Sequence, residues 1–233
     1  MNLQDRYTDG TYAKDVTDWH EGDAEWKACH IAKIIEKNKL ELETICDVGC
    51  GTGGVLQELQ KLLPVKAHYT GFDISPQSIS RAKDKENKFL SFTQGNILED
   101  SDKTFDLITL MDVFEHIPDY LGFLQKIREK SKYHAFHIPL DISALSAVRG
   151  HPILTRRTTV GHLHHFTADT AIATLQETGY TVVDWFYTAS GFQPPDSSLK
   201  ATVRDFPKKT LFKIRPDWTV RFMGGYTLMV LCK

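Results

Sequence analysis

The sequence predicts an α/β fold: a doubly wound, mostly parallel seven-stranded sheet with an antiparallel C-terminal strand pair and inserts forming a cap. Three observations lead there. Strand-length apolar runs alternate with segments of helical period from residue 40 to 190. A glycine-rich stretch, ICDVGCGTGG at 45–54, lies between the first such strand and the helix after it. The last two strand-like runs follow one another with no evident helix between them, which suits an antiparallel edge pair.

Each element has its own signal. Ala24, Ala28, Ile31, Ile34 and Ile35 recur at helical spacing, so a helix over 22–38 precedes the first strand, LETICDVG. After the glycines, Val55, Leu56, Leu59, Leu62 and Leu63 share one helical face. AHYTGFDIS reads as the second strand, and Pro76 opens a short polar helix. FLSFTQGNI is the third strand, and FDLITLM begins the fourth as an apolar run buried on both faces. DYLGFLQKIREKS is helical and YHAFHIPL is the fifth strand. TADTAIATLQETGY is a helix with Thr167 at its N-cap and Gly179 at its end. YTVVDWFYTA and GYTLMVLCK close the sheet.

Composition sets the bounds. A length of 233 residues suits a single domain over 1–233, with 1–40 as an N-terminal helical lid and 141–166 and 191–224 as substrate-side inserts. Hydrophobic residues at 41% and charged residues at 25% argue against a disordered chain. A net charge of −2 argues against a nucleic-acid partner. No apolar run approaches the ~20 residues of a membrane helix, and the polar N-terminus lacks a secretory pattern. Cys29, Cys46, Cys50 and Cys232 read as reduced thiols. The expected compartment is the cytoplasm.

The glycines allow two parses. Gly49-x-Gly51-x-x-Gly54 is a dinucleotide fingerprint, whereas Gly49-x-Gly51-x-Gly53 behind Asp47 is a different nucleotide-cofactor loop. Asp47 discriminates between them. A carboxylate at the strand end repels a pyrophosphate but accepts hydrogen bonds from a cationic α-amino group. Asp73, 24 residues after Gly49, suits the ribose hydroxyls of an adenosine under either parse. Asn96 offers an amide oxygen to an adenine amino group, with Ile97 against the ring.

Together, Asp47-Val-Gly-Cys-Gly-Thr-Gly, Asp73, Gly95-Asn96-Ile97, Phe105-Asp106-Leu-Ile and Asp112-Val-Phe-Glu115-His116 resemble the class I S-adenosylmethionine-dependent methyltransferases. Within them the chain is most similar to the small-molecule group that includes the ubiquinone-pathway O-methyltransferases. GHLHHFTADTAIATLQETGY is similar to the segment before the sixth strand in many of these enzymes. The resemblance covers residues 40 to 190 and the last strand. It implies S-adenosyl-L-methionine as cofactor. Asp47, Gly49 and Gly51, with Gly53 closing the loop, would take its methionine part. Asp73 would take the ribose and Ile74, Asn96 and Ile97 the adenine, while Met111 and Asp112 would lie near the sulfonium. Two departures stand out: Asn96 where Asp is more frequent, and REKSKYHAF in place of a Lys-Pro-Gly-Gly turn.

Methyl transfer from a sulfonium is an in-line displacement, helped by a base when the acceptor is an oxygen. His116 is one candidate base, and His162 and His165 are the others, in RGHPILTRRTTVGHLHHF at 149–166. That stretch contains no acid. Arg149, His151, Arg156 and Arg157 suit an anionic small-molecule acceptor. A cation site built from Asp112, Glu115, His116 and a later histidine is an alternative use of these side chains, although the adopted reading has no metal. The basic second insert, with Lys208, Lys209, Lys213, Arg215 and Arg221, reads as an amphipathic cover over the acceptor site or as a solvated face. The expected activity is methylation of a small-molecule oxygen. An N-methyltransferase, a non-catalytic cofactor-binding domain and a nicotinamide oxidoreductase are the alternatives.

Overall fold

The computed structural model describes residues 21–63, 66–100, 103–189 and 208–233. Residues 1–20 of the expected lid, with Tyr7, Tyr12 and Trp19, lie outside the described residues, as do 191–207 of the second insert. The sheet has seven strands: β1 Thr44–Val48, β2 His68–Asp73, β3 Leu90–Gln94, β4 Phe105–Met111, β5 Ser131–Leu140, β6 Val182–Thr188 and β7 Tyr226–Cys232. Their order is β3-β2-β1-β4-β5-β7-β6, and the C-terminal strands are antiparallel. The order reverses between β1 and β4, the switch point at which such sheets bind ligands. No helix among the described residues is long and apolar enough to cross a membrane.

The chain packs as two compact units. The first takes in the chain up to Met111, Gln125–Ala135 and Leu231–Lys233. Here β1 pairs in parallel with β2 and β4, so Asp47 stands opposite Gly71 on one side and Thr109 on the other. Asp106 fastens the start of this pairing, because its Oδ2 accepts hydrogen bonds from the amides of Glu43 and Thr44 at 2.8 and 2.9 Å. Helix α1, Ala24–Lys37, buries Ala28, Ile31, Ile34 and Ile35 in the stripe the sequence foretells. It packs close to α2, Gly54–Leu62, where a Cβ on Gly54 would come within 3.0 Å of the Ala24 methyl carbon. Gly54 therefore serves close helix packing. Helix α3, Pro76–Ala82, starts as expected, with Pro76 in its first turn and Ser75 Oγ accepting the Ser78 amide.

The second unit comprises Asp112–Leu124 and Phe136–Val230. Its core is aromatic. Phe114 meets Phe166 edge-on with ring centroids 5.3 Å apart, and Phe136 meets Tyr180 edge-on at 5.2 Å. The Tyr180 hydroxyl donates to the Leu124 carbonyl in α4, Tyr120–Ile127. The segment 141–166, expected as a substrate-side insert without an assigned element, contains two short helices, α5 Ala144–Arg149 and α6 His151–Thr159. Ser143 and Ser146 form a capping box at the start of α5, which its small polar residues conceal from hydrophobic patterning. Thr167 caps α7, Ala168–Glu177, as the sequence predicts. The described part of the second insert is helical over 208–214 and in α8, Pro216–Met223. Val220 is buried there while Trp218 is 69% exposed.

Candidate active site

The first unit builds a loop suited to a nucleoside cofactor. Gly49, Gly51 and Gly53 all adopt positive φ, at 75°, 55° and 80°, a conformation glycine takes without strain. The Phe72 carbonyl accepts the amides of Gly49 and Cys50 at 2.8 and 3.1 Å. Asp73 holds the loop from β2: its Oδ2 accepts the Gly51 amide and its Oδ1 the Ser75 amide, both at 2.8 Å. Burial nonetheless pushes Asp73 above the ordinary carboxylate range, since these two bonds lower it by less.

Asp47 is the most buried acid of the loop, at 2% exposure. Thr109 Oγ1 donates to its Oδ1 at 2.6 Å. Burial pushes Asp47 up to about 7; the Thr109 hydrogen bond and the charge of Lys27 lower it only in part, and the charge of Asp73 adds to the rise. A buried carboxyl with one hydrogen-bond donor among the described residues has room for a further partner, and a ligand ammonium supplies both donor and charge. A Cβ on Gly51 would meet nothing within 4 Å, so the loop has open space beside it. Open space over a glycine loop and an unspent buried carboxyl fit the methionine end of the expected cofactor.

The adenine side is mixed. Ile74 is 41% exposed, an apolar surface free to lie against a ring. Ile97 is fully buried, so its side chain packs in the core and cannot also cover a ring face, contrary to expectation. Asn96 Oδ1 accepts the Leu98 amide at 3.0 Å and caps a short 3-10 turn. A shallow hollow lined by Phe72, Thr93, Gly95, Asn96 and Glu99 adjoins it.

Met111, at the end of β4, is buried. Asp112, the first residue of the second unit, has φ of 60°, a strained value for a residue with a side chain. His137 holds it twice. The His137 carbonyl accepts the Asp112 amide at 3.0 Å, and His137 Nδ1 lies 2.6 Å from Asp112 Oδ1. His137 Nε2 in turn lies 3.0 Å from Thr188 Oγ1.

The second unit also gathers the histidines. The Glu115 carbonyl accepts the amides of Leu163 and His164 at 2.8 and 3.1 Å. His116 Nδ1 lies 3.0 Å from the Gly161 carbonyl, and His164 Nε2 lies 2.9 Å from the Ile117 carbonyl. These four bonds fasten the DVFEHI and GHLHHF segments together. His116 and His162 meet edge-on with ring centroids 5.0 Å apart. Asp141, just after β5, completes the cluster: its Oδ2 lies 2.6 Å from His162 Nδ1 and 2.9 Å from His165 Nδ1. Arg156 Nε is 3.8 Å from the other oxygen, Oδ1. Burial pushes Asp141 up, but the hydrogen bonds of both imidazoles and the charges of His162 and Arg156 outweigh it and hold the carboxyl below its ordinary range.

Of the four predicted acceptor-binding residues, only Arg156 joins this cluster. Arg157 donates to the Leu163 carbonyl at 3.2 Å, while Arg149 and His151 are exposed on α5 and α6. Among the described residues, two groups of three place metal-type ligand atoms within 4.8 Å of one another: Glu115, His116 and His162, and Asp141, His162 and His165. Asp112 belongs to neither, its carboxylate being turned to His137.

Three site residues escaped the sequence reading. Thr109 is hidden in an apolar strand and is revealed only by register. His137 likewise sits within the apolar run of β5. Asp141 carried a usable signal, since it closes an apolar strand just as Asp73 does.

The switch-point glycine loop, its buried acid and its strand-end acid together define an enzyme of the nucleoside-cofactor class. Residues 20–184 match the family model described as a methyltransferase domain. The chain belongs to that family and is a class I S-adenosylmethionine-dependent methyltransferase. Curated relatives include the mitochondrial ubiquinone biosynthesis O-methyltransferase of Schizosaccharomyces pombe, 35% identical over 42% of this chain and 37% of that protein. The ubiquinone biosynthesis O-methyltransferase of Actinobacillus pleuropneumoniae serotype 5b is 27% identical over 55% of this chain and 61% of its own length. The chain thus spans less than two thirds of either relative. Among solved structures, a Haloferax volcanii putative methyltransferase, in complex with the Trm112 methyltransferase activator, aligns at a TM-score of 0.67 and 18% identity over 97% of this chain and 96% of its own. A plantazolicin methyltransferase in complex with SAH aligns at 0.62 and 17%, over 99% and 93%. Both share the fold.

Proposed function

We propose that this methyltransferase moves a methyl group to the oxygen of a small, anionic acceptor, with an imidazole of 162–165 removing the acceptor proton. The reading takes 1–233 as one cytoplasmic domain. The observation that carries it is the fastening of the 114–117 turn to 161–166, which sets His116 against His162, while His162 and His165 meet at Asp141. When bound, the cofactor supplies a methyl group already activated on sulfur. Asp47, Gly51 and Asp73 hold and orient it, and Asn96 and Ile74 meet its base. His165, 15% exposed at its side chain, is the accessible imidazole, and His162 at 8% is screened. Arg156, half exposed beside Asp141, faces an acidic group on the acceptor. The similarity to ubiquinone O-methyltransferases supports oxygen over nitrogen.

The test uses S-adenosylmethionine with a labelled methyl group and four acceptors: 3,4-dihydroxybenzoate, phenol, glucuronate and glycine. Transfer to a hydroxylated acid, lost in His165→Gln while S-adenosylhomocysteine still binds, supports the reading. Transfer to glycine alone, or transfer indifferent to His162→Gln and His165→Gln, overturns it.

A further inference from the structure

Two imidazoles share one oxygen atom. Asp141 Oδ2 lies 2.6 Å from His162 Nδ1 and 2.9 Å from His165 Nδ1, in a setting where His162 and the Asp141 carboxyl are both nearly buried. An ionised carboxylate only accepts hydrogen bonds, so both short contacts require the hydrogen on Nδ1. A neutral ring with Nδ1–H carries its lone pair on Nε2. A free imidazole prefers the opposite arrangement, so one carboxylate reverses the preference of two rings at once. Its second oxygen faces the Arg156 guanidinium at 3.8 Å, which favours the ionised form.

We propose that Asp141 is the positioning residue of the acceptor side: it fixes His162 and His165 with their Nε2 lone pairs free and supplies the negative charge that one imidazolium needs. The inference rests on the proposed role of these histidines as acceptor bases. In the step it serves, the acceptor O–H bond breaks and its proton forms an N–H bond at His165 Nε2. The freed oxygen pair forms the bond to the methyl carbon as the carbon–sulfur bond breaks, its electrons staying on sulfur. Asp141 stays ionised and the His165–Asp141 pair becomes neutral overall.

The test is 15N NMR of the 233-residue chain labelled at its imidazole nitrogens, at about pH 8. Signals are assigned by their loss in His162→Gln and His165→Gln. Both rings are expected to show a protonated Nδ1 and an unprotonated Nε2. In Asp141→Asn, which keeps the shape but loses the charge, the populations are expected to move towards Nε2–H. With 3,4-dihydroxybenzoate, Asp141→Asn is expected to lower kcat by up to about 10⁴-fold, the scale of losing an acid that orients an imidazole, while S-adenosylhomocysteine affinity stays within about twofold. An Nε2–H form at either ring of the unmutated protein overturns the proposal and leaves the base assignment to the glutamine variants. Nδ1–H at both rings together with full kcat in Asp141→Asn also overturns it. If His162→Gln and His165→Gln keep full kcat as well, the proposed base falls with it.

Discussion

Thr109 Oγ1 donates to Asp47 Oδ1 at 2.6 Å across the β1–β4 pair, in the register that sets these two residues side by side. This donor lowers Asp47 only in part, and burial pushes the acid up to about 7. Asp47 therefore carries its proton below about pH 7, well above the usual carboxylate range. If the loop takes the cofactor's ammonium at Asp47, as proposed, binding and ionisation of this carboxyl are linked.

Cofactor affinity should therefore depend on pH. The ligand ammonium is best held by ionised Asp47, and below about 7 that ionisation costs a proton. S-adenosylhomocysteine affinity is expected to fall close to tenfold for each unit of pH below this value and to level off above about pH 8. Titration calorimetry at pH 6 in two buffers of different ionisation enthalpy should show nearly one proton released per ligand. At about pH 8.5 the release should be small. Equal release at both values would show that Asp47 is already ionised before binding.

The same group should make the cofactor-free fold less stable as pH rises. Its folded value lies above that of an unfolded carboxyl, so between about 4 and about 7 the folded chain binds the extra proton. Stability is complete below the unfolded value and declines as pH climbs through the folded one. The shift of about three units corresponds to at most about 4 kcal/mol. Asp47→Asn is expected to melt at the same temperature as the unmutated chain near pH 4 and several degrees higher at pH 8, while losing S-adenosylhomocysteine binding. A melting difference that does not change with pH would show that burial of the charge is not what destabilises the loop.

Gly51 and Gly53 look alike in sequence and should behave differently. A Cβ at Gly53 would come within 2.3 Å of the Phe92 ring, at a φ of 80°. Gly53→Ala is expected to cost about 2–4 kcal/mol, combining overpacking with backbone strain. A Cβ at Gly51 meets open space, so Gly51→Ala should cost only about 1 kcal/mol of stability, from its φ of 55°. That same methyl occupies the space proposed for the cofactor, so binding should fall far more than stability. Thermal melts with and without S-adenosylhomocysteine separate the two effects.

What was legible in the sequence was local. The glycine loop, Asp73 and the Thr167 cap each depend on residues within a few positions, and the structure builds each where the sequence puts it. The mostly parallel sheet followed from alternation, and the antiparallel C-terminal pair was expected too, although helix α8, Pro216–Met223, stands between its two strands where the sequence showed none. The partners of the site residues were less legible, because they depend on register. Thr109 meets Asp47 across 62 residues and His137 meets Asp112 across 25, and neither leaves a trace in its own strand. Helix α6 was missed for another reason. It buries none of its residues, so it has no apolar stripe to show. The acid absent from 149–166 lies at Asp141, at the end of the strand before it.

Asp112 should tolerate some substitutions better than its position suggests. Its φ of 60° suits Asn almost as well as Gly, and an Asn oxygen can still accept from His137 Nδ1. Asp112→Asn is expected to change stability by under about 1 kcal/mol. Asp112→Ala keeps the strain and removes the carboxylate that His137 Nδ1 meets at a buried position, and should cost about 2–4 kcal/mol. Urea unfolding of both variants reads the difference. Equal losses would mean that the strain, and not the His137 contact, governs this residue.

His165 and His162 differ in access, and their variants should differ in kind. His165 is the more exposed of the pair that Asp141 holds, while His162 sits edge-on to His116 and is screened. Removing a positioned base typically slows proton transfer by about 10²–10⁴-fold. His165→Gln is therefore expected to lower kcat on that scale, with stability and S-adenosylhomocysteine affinity little changed. His162→Gln removes a buried ring that donates to Asp141, so it should cost about 1–3 kcal/mol of stability, with a smaller fall in kcat. Measuring kcat beside urea midpoints for both variants ranks them on each axis. If His162→Gln is the slower enzyme and the more stable protein, the roles of the two rings are reversed.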